Sequence, residues 1–311
     1  MKIANLPYRA STMAVWFAGS AAAASPATLA RPLVVPFDFS RGAIEMAVKV
    51  HGQPLRMILD TGVDPSVIDL GRARALGLRI DRGDGGEATG FGDGQGAQVF
   101  PGAIDQLTIG GRAFAPFDTV ASDMSGLSAG YGRSLDGVIG YSFLADKTVL
   151  IDYPNHTAAF LNRGDQARAL TATCRQRWSV PLKTVDSFPI IPGFRFGDSR
   201  APVSLDTGSN GAVGLFKSAL ALPGVQAKLT ESGSVTRTGA RGEAKSKSYV
   251  FKAPVGFGPF TTTETPTSVY SEAGSADTRV ANVGNKLMAD LKLKVLFDYR
   301  GKRLAFYGAC R

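Results

Sequence analysis

The sequence predicts an all-β protein of two homologous lobes, each closed and barrel-like, with short helices and a cleft between the lobes. Three observations predict it. A hydrophobic strand running into Asp-Thr-Gly occurs twice, as Met57-Ile58-Leu59-Asp60-Thr61-Gly62 and as Val203-Ser204-Leu205-Asp206-Thr207-Gly208. The landmarks around the two copies recur in the same order, which is the signature of a repeated structural unit. The chain carries 37 glycines and short alternating apolar runs, as a hairpin-rich β protein does.

The repeat extends well past the tripeptide. Val35-Pro36 stands 25 residues before Asp60, and Val180-Pro181 stands 26 before Asp206. A helical stretch follows each motif, Gly71 to Leu78 and Leu215 to Leu222. A Gly-rich segment comes next, around Gly90, Phe91 and Gly92 in the first half and around Gly239 in the second. The closing pieces are Asp136-Gly137-Val138-Ile139-Gly140 and Ala281-Asn282-Val283-Gly284, 80 and 78 residues after the respective acids. One Asp-Thr-Gly alone is an ordinary strand-to-turn junction. Two in matching surroundings are read as duplication of one lobe.

Residues 1–30 read as a signal peptide. Lys2 and Arg9 precede the small, apolar run Thr12 to Ala24, with cleavage expected after Ala24 or after Ala30. That run is too short to span a bilayer. The mature chain is therefore expected to be exported, to the periplasm or the extracellular medium, with no membrane attachment. The boundaries expected are 31–165 for the first lobe, 166–176 for a polar linker and 177–311 for the second lobe. Within the first lobe, Ile44 to Val50 alternates as a half-buried strand, His51 to Pro54 turns, and Leu55 to Leu59 returns to deliver Asp60. Ala103 to Ile109 and Phe114 to Val120 read as strands joined at Gly110-Gly111. Lys147 to Asp152 and Thr157 to Leu161 read as a last hairpin.

Composition excludes several function classes. The net charge of +9 falls to about +7 without Lys2 and Arg9, and the bases are scattered with no aromatic interleaving, so nucleic acid is not an expected partner. The two histidines, His51 and His156, sit in turn-like contexts, which leaves no Ser-His-Asp arrangement. Neither a metal site nor a cofactor site is expected, because His and Cys are too few and the acids of the Gly83 to Gly96 segment lack calcium-loop spacing. Cys174 and Cys310 bracket the second repeat. In an exported protein such a pair invites a disulfide, with two buried thiols as the other reading.

The candidate catalytic groups are then Asp60 and Asp206. Two carboxylates brought face to face cannot both ionise cheaply, so one proton is shared; the aspartic protease dyad is the standard worked example of that effect. On Ile58 to Gly62 with Val67-Ile68, Leu205 to Ser209, and the Val138-Ile139-Gly140 and Ala281 to Gly284 pieces, the chain resembles the retropepsin and pepsin superfamily of aspartic peptidases, and more closely its bacterial retropepsin-like members. The resemblance implies an endopeptidase cutting a peptide or protein substrate with a water held between the two acids. It implies that Thr61 and Thr207 bond across the lobes, and that Gly62 and Gly208 give N–H groups to the carboxylates. It makes Gly90, Phe91, Gly92 and Gly239 the tips of two flaps over the cleft. One chain then supplies both acids, and a monomer is expected. Two departures stand out. The first flap has Phe91 and no tyrosine, and Val63 follows the first motif where Ser209 follows the second. A serine hydroxyl can favour a charged carboxylate, so Asp206 is expected to be the ionised partner. A catalytically weak peptide-binding protein on the same scaffold is the alternative function.

Overall fold

A computed structural model describes residues 31–162, 165–270 and 279–311, and the expected signal peptide lies outside them. Three β-sheets hold the chain, with short helices at their margins. The first large sheet runs in the order Gly86–Glu87, Gln98–Ile104, Phe117–Ser122, Ser66–Asp69, Gly137–Ile139, Gln53–Leu59, Glu45–Val50, Leu107–Ile109, Arg112–Ala113. The second runs Leu229–Gly239, Gly242–Phe251, Thr265–Val269, Val213–Leu215, Ala281–Gly284, Ser199–Asp206, Phe188–Phe196, Val255–Phe257, Phe260–Thr262. The two orders correspond strand for strand, except that Thr184–Val185 pairs with Phe188–Phe196 as an extra strand of the second sheet. Each described sheet runs from one edge strand to another, so the all-β fold expected is present without barrel closure among the described residues.

Both acid-bearing strands sit in the same local topology. Gln53–Leu59 runs parallel to Gly137–Ile139, and Ser199–Asp206 runs parallel to Ala281–Gly284. Each acid-bearing strand therefore ends beside a strand that arrives from about 80 residues further on. Gly140 is required there, because a Cβ would strike the Val63 carbonyl; Tyr141 N–H donates to that carbonyl at 2.7 Å and Asp60 N–H donates to Ile139 O at 2.9 Å.

The third sheet unites the halves. Its order is Leu33–Pro36, Thr157–Leu161, Thr148–Asp152, Lys294–Asp298, Arg303–Gly308, Gln176–Pro181. Each half contributes three strands, and the seam pairs Leu150 with Leu296. Both of its faces are buried. Val149, Ile151, Val295 and Phe297 face the main core, while Leu150, Ala159, Leu296 and Ala305 face a smaller cluster. That double burial explains the unbroken apolar runs Val149-Leu150-Ile151 and Val295-Leu296-Phe297. The outer cluster also contains Ala167 and Cys174. The segment expected to be a linker thus contains a helix, Gln166–Leu170, that covers this sheet.

Several element boundaries differ from the sequence reading. The Ala103 to Ile109 strand is two, Gln98–Ile104 and Leu107–Ile109, broken where Gln106 takes a positive φ of 52°. The strand expected from Phe114 begins only after Pro116, as Phe117–Ser122. The first helical stretch forms as Leu70–Ala75, capped by the Asp69 side chain. The second begins as the strand Val213–Leu215 and only then turns into a 3-10 helix, Lys217–Ala221. His51 and Gly52 both have positive φ and make the tight turn of a hairpin. His51 is not simply solvated: one ring nitrogen meets the Leu76 carbonyl and the other meets Asp105 at 2.6 Å.

Cys174 and Cys310 form a disulfide 136 residues apart in sequence, next to the helix that covers the third sheet. A loop that long constrains the unfolded chain by about 5 kcal/mol in the entropy model. Replacing both cysteines by serine is expected to cost about 2–4 kcal/mol in urea unfolding, with little change at the cleft, since the bond lies against the sheet remote from Asp60. A change under about 0.5 kcal/mol would show that the helix covers the sheet without the staple.

Candidate active site

The sequence-predicted residues Asp60, Thr61, Gly62, Asp206, Thr207, Gly208 and Ser209 converge where the two large sheets meet. Their interlock is reciprocal. Thr61 N–H donates to Thr207 Oγ1 at 3.0 Å, and Thr207 N–H donates to Thr61 Oγ1 at 3.2 Å. Each hydroxyl then donates across the seam, Thr61 to Leu205 O at 3.1 Å and Thr207 to Leu59 O at 2.9 Å. Both side chains are buried. A hydroxyl is needed at these positions because it accepts one bond and donates another at once. Threonine's branched Cβ also limits its rotamers.

The acids are held by their own loops. Gly62 N–H donates to Asp60 Oδ1 at 2.7 Å, and Gly208 N–H donates to Asp206 Oδ1 at 2.8 Å. A Cβ on Gly208 would overlap the Asp60 carboxylate, and one on Gly62 would overlap the Phe188 ring. Glycine is therefore what lets each loop pack against its neighbour. Asn285, fully buried, donates to Thr207 O at 2.6 Å and to Gly42 O at 3.0 Å, and accepts from the Tyr153 hydroxyl at 2.7 Å. It ties the second acid loop to the first half.

The environments of the two acids differ. Asp206 Oδ1 accepts from the Ser209 N–H at 3.1 Å as well as from Gly208, and Asp206 Oδ2 accepts from the Asn282 side-chain amide at 2.8 Å. The contact of Ser209 is thus through its backbone, where the sequence reading expected its hydroxyl. Ser204 donates its hydroxyl to Asn282 Oδ1 at 2.8 Å, which turns the amide nitrogen toward Asp206. The corresponding pair in the first half is Ile58 and Val138, in register with each other and wholly apolar. Burial first, and then the charge of Asp206 beside it, raise the Asp60 carboxyl from 3.8 to about 8, against the lowering effect of the Gly62 N–H.

Sequence reasoning missed Asn282 and Ser204. The signal was present, because aligning Gly137 to Gly140 with Ala281 to Gly284 sets a polar residue against Val138.

Above the acids lies a cleft of about 1730 Å³. Its first-half wall is apolar, with Ile58, Val67, Ala88, Met124, Leu135 and Val138. Two hairpin regions roof it. The second-half hairpin, Leu229–Gly239 with Gly242–Phe251, is long and regular. The first-half counterpart pairs only Gly86–Glu87 with Gln98–Val99 and then runs through an irregular glycine loop. The two tips bond main chain to main chain: Arg241 N–H to Phe91 O at 3.0 Å, Gly94 N–H to Arg241 O at 2.8 Å, and Ala97 N–H to Ala240 O at 3.0 Å. Side chains at Gly92 or Gly239 would collide with Arg241 and Phe91 backbone respectively. Phe91 packs on Tyr270 at 5.3 Å between ring centres, so a tyrosine does serve this roof, from the second half. Gly90, which lines the cleft beside Phe91, has a φ of 145°. The disulfide stands apart from all of this.

Residues 46–143 match the family model described as aspartyl protease. That match covers about a third of the chain, and it is to this family that the first half is similar. It spans Asp60, the first flap and Gly140, and ends before the second motif. No curated protein matches the chain.

The interlock makes a direct prediction. Thr207→Val removes a donor to Leu59 O and strips the Thr61 N–H of its acceptor, leaving two buried groups unpaired. It is expected to cost about 2–4 kcal/mol in urea unfolding, more than Thr→Val at the exposed Thr230. Equal costs at the two positions would show that the interlock is not holding the halves together.

Proposed function

We propose that this protein is an exported aspartic endopeptidase that hydrolyses peptide bonds with a water activated between Asp60 and Asp206. The observation that carries the reading is the asymmetric pairing of the two acids on one rigid interlock. Asp206, with three donors directed at it, is suited to be the ionised partner. Asp60, walled by Ile58 and Val138, is suited to hold the proton. Asp206 takes a proton from the water as the water oxygen adds to the peptide carbonyl carbon. Asp60 gives its proton to the carbonyl oxygen. The tetrahedral adduct then collapses: the C–N bond breaks, Asp206 gives its proton to the leaving amine nitrogen, and Asp60 takes a proton back from one hydroxyl as the new carboxyl forms. No covalent enzyme intermediate is needed. The titration belongs to the pair, so the assignment of proton and charge concerns its dominant microstate.

The roof supports the same reading. Flaps whose tips bond to each other must part for a peptide to enter, and can close over it to exclude water. The main-chain donors and acceptors at Phe91 and Arg241 are of the kind an extended peptide could use in their place. Because one chain supplies both acids, the working form is taken to be a monomer. Export rests on residues 1–30 and on the disulfide. The first residue of the mature chain, Ser25 or Arg31, tests it.

Cleavage of an unfolded protein from pH 3 to 9 is the test of function. Asp60→Asn and Asp206→Asn should each lower the rate by at least about 100-fold, the size of lost acid–base catalysis. The wild-type rate should fall as pH rises through about 8, where Asp60 loses the proton it must donate. A wild type that binds peptides and never cuts them, with both Asn variants binding equally well, would leave a peptide-binding protein as the function.

Asn282→Val, which copies the first half's Val138, separates the roles of the acids. It removes the side-chain donor to Asp206 Oδ2, so kcat should fall by about tenfold or more while the alkaline limb near pH 8, which belongs to Asp60, stays. Movement of the alkaline limb alone would reverse the assignment.

A further inference from the structure

The second-half wall of the cleft differs from the first by one buried charge. Three residues before Val138 stands Leu135, buried in the apolar first wall. Three residues before Asn282 stands Arg279, also lining the cleft and only 7% exposed. Its guanidinium lies over the Phe188 ring at 4.2 Å and near the Phe216 ring at 5.5 Å. Phe188 in turn packs on Gly62, next to Asp60. The arginine is thus on the substrate side of the acid pair.

Arg279 has no ion pair or hydrogen bond among the described residues, and its Nε is fully enclosed without a partner. Asp186 and Asp206 attract it through space without contacting it, and burial lowers its pKa. Two aromatic faces offset part of the cost of enclosing a cation, yet buried guanidinium groups ordinarily meet a carboxylate. Among the described residues it meets none. Arg237 adds a second positive group on the same wall, with one nitrogen already given to Ser268 at 2.7 Å.

Resting on the proteolytic reading, we propose that Arg279 forms an anionic subsite that receives the acidic side chain, Asp or Glu, of a substrate residue on the second-half side of the scissile bond. The first-half wall receives an apolar residue. The preferred substrate would then be polarised, apolar on one side of the cut and acidic on the other. A guanidinium offers a planar fork that a carboxylate can meet with two hydrogen bonds.

The test uses acetylated, amidated peptides in which Glu or Gln is placed in turn at each of the three positions on either side of a Leu-Leu bond. A further set ends in a free carboxylate at the same positions. In wild type, at one position Glu should exceed Gln in kcat/KM by about tenfold or more, and in Arg279→Leu that ratio should fall to about one. Arg279→Lys should retain part of the preference. No Glu preference at any position, a preference that survives Arg279→Leu, or a preference confined to free termini would overturn the subsite. Cleavage of the all-Leu reference peptide reports separately on the proteolytic reading. If no peptide is cut, fluorescence anisotropy of the Glu and Gln peptides decides the matter. Tighter binding of Glu that is lost in Arg279→Leu upholds the subsite, and equal binding removes it.

Discussion

The structure depends on four hydrogen bonds between two threonines and two backbone segments. Thr61 and Thr207 each accept the other's N–H and donate to the strand that carries the other's aspartate. Neither half can satisfy these groups alone, because the acceptor of each buried N–H belongs to the other half. Burying them unpaired would cost more than a typical bond contributes. The joining of the halves and the approach of the carboxylates are therefore a single event. The six-stranded sheet on the far side serves the same end by pairing Thr148–Asp152 with Lys294–Asp298.

On that near-symmetric base the chemistry is asymmetric, and the asymmetry lies in a few side chains. Ser204 and Asn282 replace Ile58 and Val138, so one acid faces a donor where the other faces hydrocarbon. Arg279 replaces Leu135, so one wall of the cleft is charged where the other is apolar. Each exchange sits on an aspartate-bearing strand, on the strand paired parallel to it, or just before that strand. A duplicated scaffold can vary these positions without disturbing the interlock, because none of these side chains takes part in the four threonine bonds.

Much of this was legible in the sequence because a repeated motif reports on itself. The two Asp-Thr-Gly loops, the matching pieces ending at Gly140 and Gly284, and the two Gly-rich segments stand out by spacing, and the resemblance makes those segments flaps. Failures came where tertiary context overrules local pattern. Leu215 was read into a helix, although burial between Ala281–Gly284 and Thr265–Val269 makes it a strand. Within residues 166–176, the segment between the two halves, Ala167 and Cys174 help to cover an otherwise exposed apolar sheet. The hydroxyl of Ser209 was expected on Asp206, where the backbone of the same residue and the amide of Asn282 make the contacts. A lone asparagine in an apolar strand carries no periodic signal, and only comparison of the two repeats would have singled it out.

The central claim is that two acids on one interlock share a single proton, held on Asp60. The most direct measurement is the pH titration of carboxyl resonances in protein labelled with ¹³C at aspartate Cγ, assigned with Asp60→Asn and Asp206→Asn. The account predicts that the Asp60 resonance keeps the shift of a protonated carboxyl through neutral pH, changing only near 8. Ionisation of both Asp60 and Asp206 in the ordinary carboxylate range, with neither resonance altered by loss of the other acid, would contradict it.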